Sequence, residues 1–415
     1  MSRAFILTGL GFGDCGKGTV TDALTRRFGA RLVVRFNGGA QAGHNVVLPD
    51  GRHHTFAQVG AGTFVEGVRS HLAQRVVVHP TALAVEAASL ARAGVGDALN
   101  RLSVDPRCLV TTAFHQAAGR LRERVAGHGT CGVGVGETVR DALAHADDAL
   151  RMGALHGTGA GDQLERIRVR LLNSLPLEVA KDADWSLLQD AGVTQRWLDA
   201  VRGLPLRLLT DDEVAHAHRD HSIVFEGAQG VLLDEHHGFH PHTTWSTCTA
   251  RHALHWLRGS PHRVERVGVL RSTLTRHGAG PLPSESEELS ARLAEPHNKS
   301  EGWQGAFRVG WFDPVLLRYA MAANGGVDWL ALTHVDRGQA RFVEGYGFEL
   351  KTPSAPEGSR ARLTEQATLT GVLAHAVPTL AAVPDSDFAD WVERTLGARV
   401  GMTSHGPTHA DKRWR

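Results

Sequence analysis

Phe5-Ile6-Leu7-Thr8-Gly9-Leu10-Gly11-Phe12-Gly13-Asp14-Cys15-Gly16-Lys17-Gly18 is the stretch on which the fold turns. Phe5 to Thr8 reads as a buried strand and Gly9 to Gly18 as a tight loop. Thr19 to Phe28 reads as a helix with Val20, Ala23 and Leu24 on one side. Gly11 to Lys17 satisfies the GxxxxGK part of a phosphate-binding loop, in the strand-to-helix context such a loop requires. Glycines let backbone N–H groups close around phosphate oxygens, and a helix N-terminus adds a favourable dipole. Two residues depart from the usual loop. Gly18 stands where a Ser or Thr would hold Mg²⁺, and Asp14 places a carboxylate where it would repel phosphate. That carboxylate makes sense as a metal ligand or as a base.

Working outward, Arg31 to Phe36 is a second apolar strand. Arg75 to His79 is a third apolar run, followed by Pro80 and a helical stretch to Ala93. Strand, helix, strand in that order predicts an α/β fold: a mostly parallel central sheet with a modified P-loop, helices on both faces, and helical insertions. Ser222 to Phe225, Val264 to Leu270 and Trp329 to Thr333 are further strands, and the loops after them are where an open sheet places ligands. Residues 142–208 read as a helical insertion, with a loop at Gly157 to Gly161. Ser284 to Gln304 reads as a polar surface loop with a short helix. No linker divides the chain, so a single domain over 1–415 is expected.

Charge and cysteine usage narrow the function. Forty-five Lys+Arg against 44 Asp+Glu leave a net charge of +1, which argues against a nucleic-acid binder. The cysteines Cys15, Cys108, Cys131 and Cys248 form no CxxC pair, so reduced thiols are expected. No stretch approaches the roughly 18 apolar residues of a membrane span. The N-terminal apolar run leads into the glycine loop and not into a cleavage site. A cytoplasmic protein working on small molecules, with no membrane partner, is the expectation.

Asn37-Gly38-Gly39-Ala40-Gln41-Ala42-Gly43-His44-Asn45 follows the second strand. Small residues there permit close backbone approach to a ligand, and His44 can exchange a proton near neutral pH. Taken alone, a polar histidine in a turn is the blander reading. Asp234 to His242 is dense in imidazoles and can be read as a zinc or nickel site. A loop folded beside the substrate is the preferred reading of that stretch. Thr408 to Lys412 reads as a surface tail.

Together the two glycine loops resemble the adenylosuccinate synthetase family, which joins inosine monophosphate (IMP) to aspartate at the expense of GTP. The family's GDEGKG and GGxNAGH are here GDCGKG and GGAQAGH. The likeness continues in order through Gly129-Thr130-Cys131-Gly132, Phe225 to Asp234, Thr275 to Pro281, Gly310 to Asp313, Leu332 to Asp336 and Ser404 to Pro407. It spans almost the whole chain.

The resemblance implies a reaction. Asp14 would take a proton from the purine N1, and His44 would stabilise the transferring phosphoryl group. Lys17 would hold phosphates with the loop amides. Asp14 and the Gly43 carbonyl would bind Mg²⁺. Gly13, Gly16, Lys17, Gly18, Gly43, His44, Asn45, Thr333, His334, Asp336, Ser404 and Gly406 would contact GTP, with Asp336 reading guanine. Asn37, Gln41, Thr130, Cys131, Gln229, Thr244, Arg276, Gly305, Phe307 and Arg308 would contact the acceptor and the amine. A homodimer is also implied.

The departures from the family fall on partner-selecting positions. Its arginine-rich amino-acid loop is reduced to Trp303-Gln304-Gly305-Ala306-Phe307-Arg308-Val309-Gly310-Trp311. Bidentate arginines are the natural grip on two carboxylates, so a less acidic amine is expected. Near Asp148 the family carries an arginine for the IMP phosphate. Either the acceptor lacks that phosphate, or Arg151 or Arg140 supplies the charge. Cys131 and Val133 replace a threonine and an arginine, His334 replaces a guanine-reading lysine, and Cys15 a glutamate. His277 replaces an apolar residue, and either touches the ligand ribose or is a buried, hydrogen-bonded histidine. The reading is a GTP-dependent C–N ligase. The alternatives are a paralogue with a changed acceptor or amine, or a nucleotide-binding protein that has lost catalysis.

Overall fold

The apolar run at Phe5 forms the centre of a ten-stranded sheet. The computed structural model describes residues 2–127, 129–293, 303, 305–338 and 340–415. In chain order the strands of this sheet are β1 (Arg3–Gly9), β2 (Leu32–Arg35), β3 (Arg69–Leu72), β4 (Leu102–Val104), β5 (Arg207–Leu208), β6 (Ile223–Glu226), β7 (Arg263–Arg271), β8 (Trp329–Thr333), β9 (Val400–Ser404) and β10 (Lys412–Trp414). Their spatial order is β10-β9-β8-β7-β1-β6-β2-β3-β4-β5. The pairs are parallel except β9 with β10.

Alternation along β1 explains the layering. Phe5 and Leu7 pack with Val33, Val224 and Val267 beneath helix α1 (Lys17–Phe28), through its Val20 and Leu24. Ala4 and Ile6 face the other way, with Val34 and Phe225, toward the helices Asp211–Ala217 and Arg251–Trp256. Each fully buried aliphatic contributes about 1.5–3 kcal/mol, so this two-sided burial fixes the strand's register. The chain runs outward from β1 to β5, returns to insert β6 beside β1, and then builds β7 to β10 on the other side. The order reverses at β1, and the loops leaving the carboxyl ends of β1, β2, β6, β7, β8 and β9 meet there.

Two expectations are corrected. The Arg75–His79 run supplies only Val77–Val78, which pairs with Leu109–Val110 in a small separate ribbon. The third main-sheet strand is Arg69–Leu72, whose polar residues hide it from an apolar scan. His71 is fully buried there because Ser103 Oγ at 3.0 Å and Asp211 Oδ1 at 2.9 Å satisfy both ring nitrogens. Nor is Thr408–Lys412 a loose tail. Lys412 begins β10 and its Nζ donates to the carbonyls of Gly406 and Thr408, while Thr19 Oγ1 of α1 donates to Pro407.

The 142–208 stretch contains the helices Ala160–Asn173, Ala183–Gln189 and Gly192–Arg202. The first two pack on Ala113–Ala126, the third packs on Ala160–Asn173, and all share one core. In the Ser284–Gln304 stretch the short helix is Glu287–Arg292; residues 294–302 and Gln304 lie outside the described residues. No helix among the described residues is long and apolar enough to cross a membrane.

Gly310–Asp313 leads into the helix Pro314–Ala323, and the Asp313 carboxylate caps it through Val315 and Leu316 N–H. Burial raises the Asp313 carboxyl to about 6, against the lowering effect of the Tyr346 hydroxyl and the two amides. The folded chain therefore holds this proton more tightly than the unfolded chain does. The cost of the buried charge is full above pH 6 and is relieved as the pH falls toward 3.8. Asp313→Asn keeps the cap without the charge, so the stability of wild type relative to this variant should improve between pH 7 and pH 5. Denaturation midpoints at the two pH values test this; a pH-independent difference contradicts it.

Candidate active site

Within the phosphate loop the carbonyls are turned toward neighbouring elements. The Gly11 carbonyl accepts from Leu232 N–H at 3.3 Å, Asp14 from Thr275 Oγ1 at 3.2 Å and Cys15 from Thr333 Oγ1 at 2.9 Å. Lys17 folds back so that its buried Nζ donates to the Gly13 carbonyl at 2.6 Å and lies 3.6 Å from Cys15 Sγ. Gly16 caps α1 with φ of 85° and no side-chain hydrogen bond, a conformation that favours glycine. The first-turn amides of α1 thus have no side-chain cap and carry the positive end of the helix dipole.

The Asp14 side chain is 37% exposed, and its Oδ2 lies 2.9 Å from His277 Nε2. Burial opposes its charge. The His277 hydrogen bond, with the nearby charges of His277, Arg271 and Lys17, outweighs burial and holds the carboxyl below its ordinary value. Asp14 is an ionised carboxylate at neutral pH.

His44 opens the short strand His44–Val47, which lies against α1. Its Nδ1 is 2.6 Å from Glu226 Oε1 at the end of β6, and Glu226 Oε2 accepts from Ala61 N–H at 2.9 Å. Burial lowers the imidazole to about 4, and Glu226 offsets only part of that. Glu226 is lowered too: burial opposes its charge, and Arg35 and His44 prevail. The site thus holds a neutral imidazole oriented by a buried carboxylate.

Beside His44 the second loop is dense in amides. Asn37 accepts from Ala228 N–H at 2.7 Å, and Ser246 Oγ accepts from Gly38 N–H at 3.0 Å. The side-chain oxygens of Gln41, Asn45 and Gln229 are buried without a protein hydrogen-bond partner. Two of them border one turn: a Cβ added at Gly38 would lie 2.9 Å from Gln229 Oε1, and one at Gly39 would lie 3.0 Å from Gln41 Oε1. Buried acceptors left without donors are uncommon and mark places where a ligand or water completes the bonding. Cys131 is a protonated thiol, raised by burial, and Thr130 Oγ1 accepts from Gly132 N–H. Thr244 is half-buried, two residues from Ser246.

At the ends of β8 and β9, Thr333 ties the loop to the sheet. His334 stands at φ of 58° with Nδ1 2.8 Å from Thr333 Oγ1. Burial, followed by the charges of Arg271, Arg337 and Lys412, drives His334 well below the usual imidazole value, so it is neutral. Asp336 is 39% exposed beside Arg337. Ser404 Oγ donates to the Gly406 carbonyl at 3.1 Å.

Several expected contacts are placed otherwise. Arg276 is buried and donates to the carbonyls of Ala279, Pro281 and His242, with its guanidinium over the Phe12 ring; burial and Arg308 lower it to about 9. Arg308 is bound by Glu285 and donates to Gly278 and Gly280 at 2.8 and 2.9 Å. Both arginines brace the 276–281 turn. Asp148 is neutralised by Arg166 and Arg170, Arg140 is paired with Glu137, and Arg151 donates to the Arg107 carbonyl. Among the described residues, those of the His236–His242 stretch included, no group of three or more His, Cys, Asp or Glu side chains is arranged to hold a metal ion. Asp234 instead accepts from the backbone N–H groups of His236, His237 and Cys248. Glu226, Ser246 and the contact of His277 with Asp14 were not assigned from sequence. Glu226 lay inside a quoted motif, but nothing in the sequence pointed to Ser246.

A family model described as adenylosuccinate synthetase matches residues 6–412. The chain belongs to the adenylosuccinate synthetase family. As a member it is a GTP-dependent ligase that forms C–N bonds in purine nucleotide biosynthesis. The adenylosuccinate synthetase of Saccharopolyspora erythraea is 33% identical over 412 residues, covering 95% of this chain and 90% of that one. That of Mycobacterium leprae is 35% identical over 345 residues, covering 80% and 77%. In fold the chain is similar to the fully ligated adenylosuccinate synthetase of Plasmodium falciparum, with a TM-score of 0.76 at 19% identity and 100% of both chains covered. It is also similar to a succinoaminodeoxyadenylate synthetase of cyanophage S-2L, bound to dGMP and to dATP as an energy donor. There the TM-score is 0.63 at 16% identity, with 100% of this chain and 95% of that one covered.

Contact between the two loops is tight at Gly18, where an added Cβ would lie 2.9 Å from His44 and from the Asn45 carbonyl. Gly18→Ala should lower stability by about 1–3 kcal/mol through overpacking. Gly161→Ala, in a helix with nothing within 4 Å of an added Cβ, should be neutral or slightly stabilising. Chemical denaturation of both variants checks this; equal midpoints contradict the crowding.

Proposed function

We propose that this chain transfers the γ-phosphoryl group of GTP to the carbonyl oxygen of a purine-type acceptor and then replaces that oxygen with an amine less acidic than aspartate. The observation that carries the reading is an ionised carboxylate, Asp14, inside a phosphate loop beside a neutral, Glu226-oriented His44. A loop meant only to bind phosphate gains nothing from a carboxylate.

In this reading Asp14 takes the proton from the ring nitrogen next to the acceptor carbonyl. The carbonyl oxygen then attacks the γ-phosphorus and GDP leaves. Lys17 and the α1 amides hold the phosphates, and loop positions Gly13, Gly16, Gly18, Gly43 and Asn45 line that side. His44 accepts a proton at Nε2 as phosphate charge arrives, since a nearby anion favours the imidazolium. It then stabilises the transferred group. The amine attacks the activated carbon and sheds a proton, and phosphate departs with the former carbonyl oxygen and carries that proton away. Positioning and charge neutralisation supply most of such catalysis.

The orphaned oxygens of Gln41 and Gln229, with Asn37, Thr130, Cys131 and Thr244, support binding of a hydrogen-bond-rich acceptor. Asp336 reads the guanine edge, with Thr333, His334, Ser404 and Gly406 around it. A magnesium ion suits the oxygen donors at hand, the Asp14 carboxylate and the Gly43 carbonyl. Mg²⁺ is commonly held by one or two carboxylates together with substrate phosphates. When bound it would neutralise charge on the transferred phosphoryl group.

The amine follows from the bracing of Arg308 by Glu285 and two carbonyls, with Gly305 and Phe307 beside it. That arrangement offers no free guanidinium fork for a second carboxylate. Phosphate release from GTP with IMP and a panel of amines should require both partners, and aspartate should fail to saturate below about 1 mM, whereas bidentate recognition would give tight binding. Release from GTP alone marks a GTPase, and binding without release marks a sensor. Asp14→Asn should lower kcat by about 10²–10⁴-fold with guanine-nucleotide affinity retained; undiminished turnover removes Asp14 as the base. A homodimer is part of this reading, and sedimentation should give twice the chain mass.

A further inference from the structure

His277 touches the reacting loop, and no role in the reaction set out above uses it. It ends the strand Leu274–His277, and its Nε2 lies 2.9 Å from Asp14 Oδ2. Among the described residues no other side chain hydrogen-bonds that carboxylate. The same strand holds the Asp14 backbone, because Thr275 Oγ1 donates to its carbonyl at 3.2 Å. Asp14 is therefore gripped at both ends by one element.

The other side of the imidazole rests on Phe307, its partner across the antiparallel ribbon, with ring centroids 5.1 Å apart at 51°. Phe307 lies two residues after Gly305, whose φ is 74° and whose added Cβ would lie 3.2 Å from Gly278 Cα. Arg308 ties the same segment to Gly278 and Gly280. One continuous line of contacts thus joins residues 305–308 to the loop carboxylate.

We infer that His277 is a positioning residue for Asp14. Its Nε2–H donates to Oδ2, which leaves Oδ1 as the oxygen presented to the acceptor, and its packing on Phe307 makes that orientation depend on the 305–308 segment. The inference rests on the reading of Asp14 as the base and names what aims it. A carboxylate without this partner is free about its side-chain torsions, and misplacing a reacting group by about 1 Å can lower a rate by 10²-fold.

Two substitutions separate donation from mere packing. His277→Val removes the N–H; His277→Gln keeps an amide N–H of similar reach. With the acceptor–amine pair that IMP and the amine panel select, His277→Val should lower kcat by about 10–100-fold while KM for GTP moves less than about threefold. His277→Gln should recover to within about fivefold of wild type. A readout that needs no turnover is imidazole ¹⁵N NMR of the whole protein, with the His277 signal assigned by its loss in His277→Gln. Asp14→Asn should shift that signal. An unmoved signal, a His277→Val variant with wild-type kcat, or a His277→Gln variant as slow as His277→Val would each overturn the inference. Full activity in Asp14→Asn instead overturns the base assignment. An inactive Asp14→Asn beside a fully active His277→Val overturns only the positioning.

Discussion

Gly230 lies so close against the phosphate loop that a Cβ there would come within 2.1 Å of the Gly11 carbonyl oxygen. No side chain can be placed between the loop leaving β6 and the loop leaving β1. Those strands are neighbours in the sheet, so the two loops leave side by side and lock together. With the loop carbonyls engaged by Leu232, Thr275 and Thr333, the amides at the start of α1 are left for an anion. The phosphate cradle is thus assembled from the ends of four strands, and it depends on the position of β1 at the point where strand order reverses.

Electrostatics divides the labour inside that cradle. Asp14 stays charged because cations and the His277 hydrogen bond surround it, while His44 stays neutral because it is buried. Both groups are lowered, the carboxyl by its cationic surroundings and the imidazole by burial. At neutral pH the carboxylate is therefore charged and the imidazole is not. In the turn after β8, burial keeps His334 neutral, while Asp336 and Arg337 lie exposed beside one another. Beside Gly305 and Phe307, the Arg308 guanidinium is already engaged by Glu285 and by carbonyls.

Much of this was legible in the sequence, for physical reasons. Arg3–Gly9, Leu32–Arg35 and Trp329–Thr333 are buried along almost their whole length, and such strands read as apolar runs. The glycine loop announced its helix and its ligand class. Arg69–Leu72 escaped because its burial is achieved by hydrogen-bonded polar groups, with His71 on Ser103 and Asp211 far along the chain. The same limit hid the Glu226 and Ser246 contacts, which join residues 182 and 208 positions apart. Arg276 and Arg308 were expected to bind substrates from their places in the family's motifs. Only the folded turn shows that carbonyls and Glu285 already hold them.

The central claim is that the acceptor's own oxygen receives the phosphoryl group and leaves with it. Turnover of IMP, or of the acceptor the amine panel selects, labelled with ¹⁸O at the carbonyl tests this directly. Mass spectrometry of the released inorganic phosphate should show one ¹⁸O per molecule formed. Phosphate carrying only oxygen from water, with the label retained on the acceptor, would contradict the account.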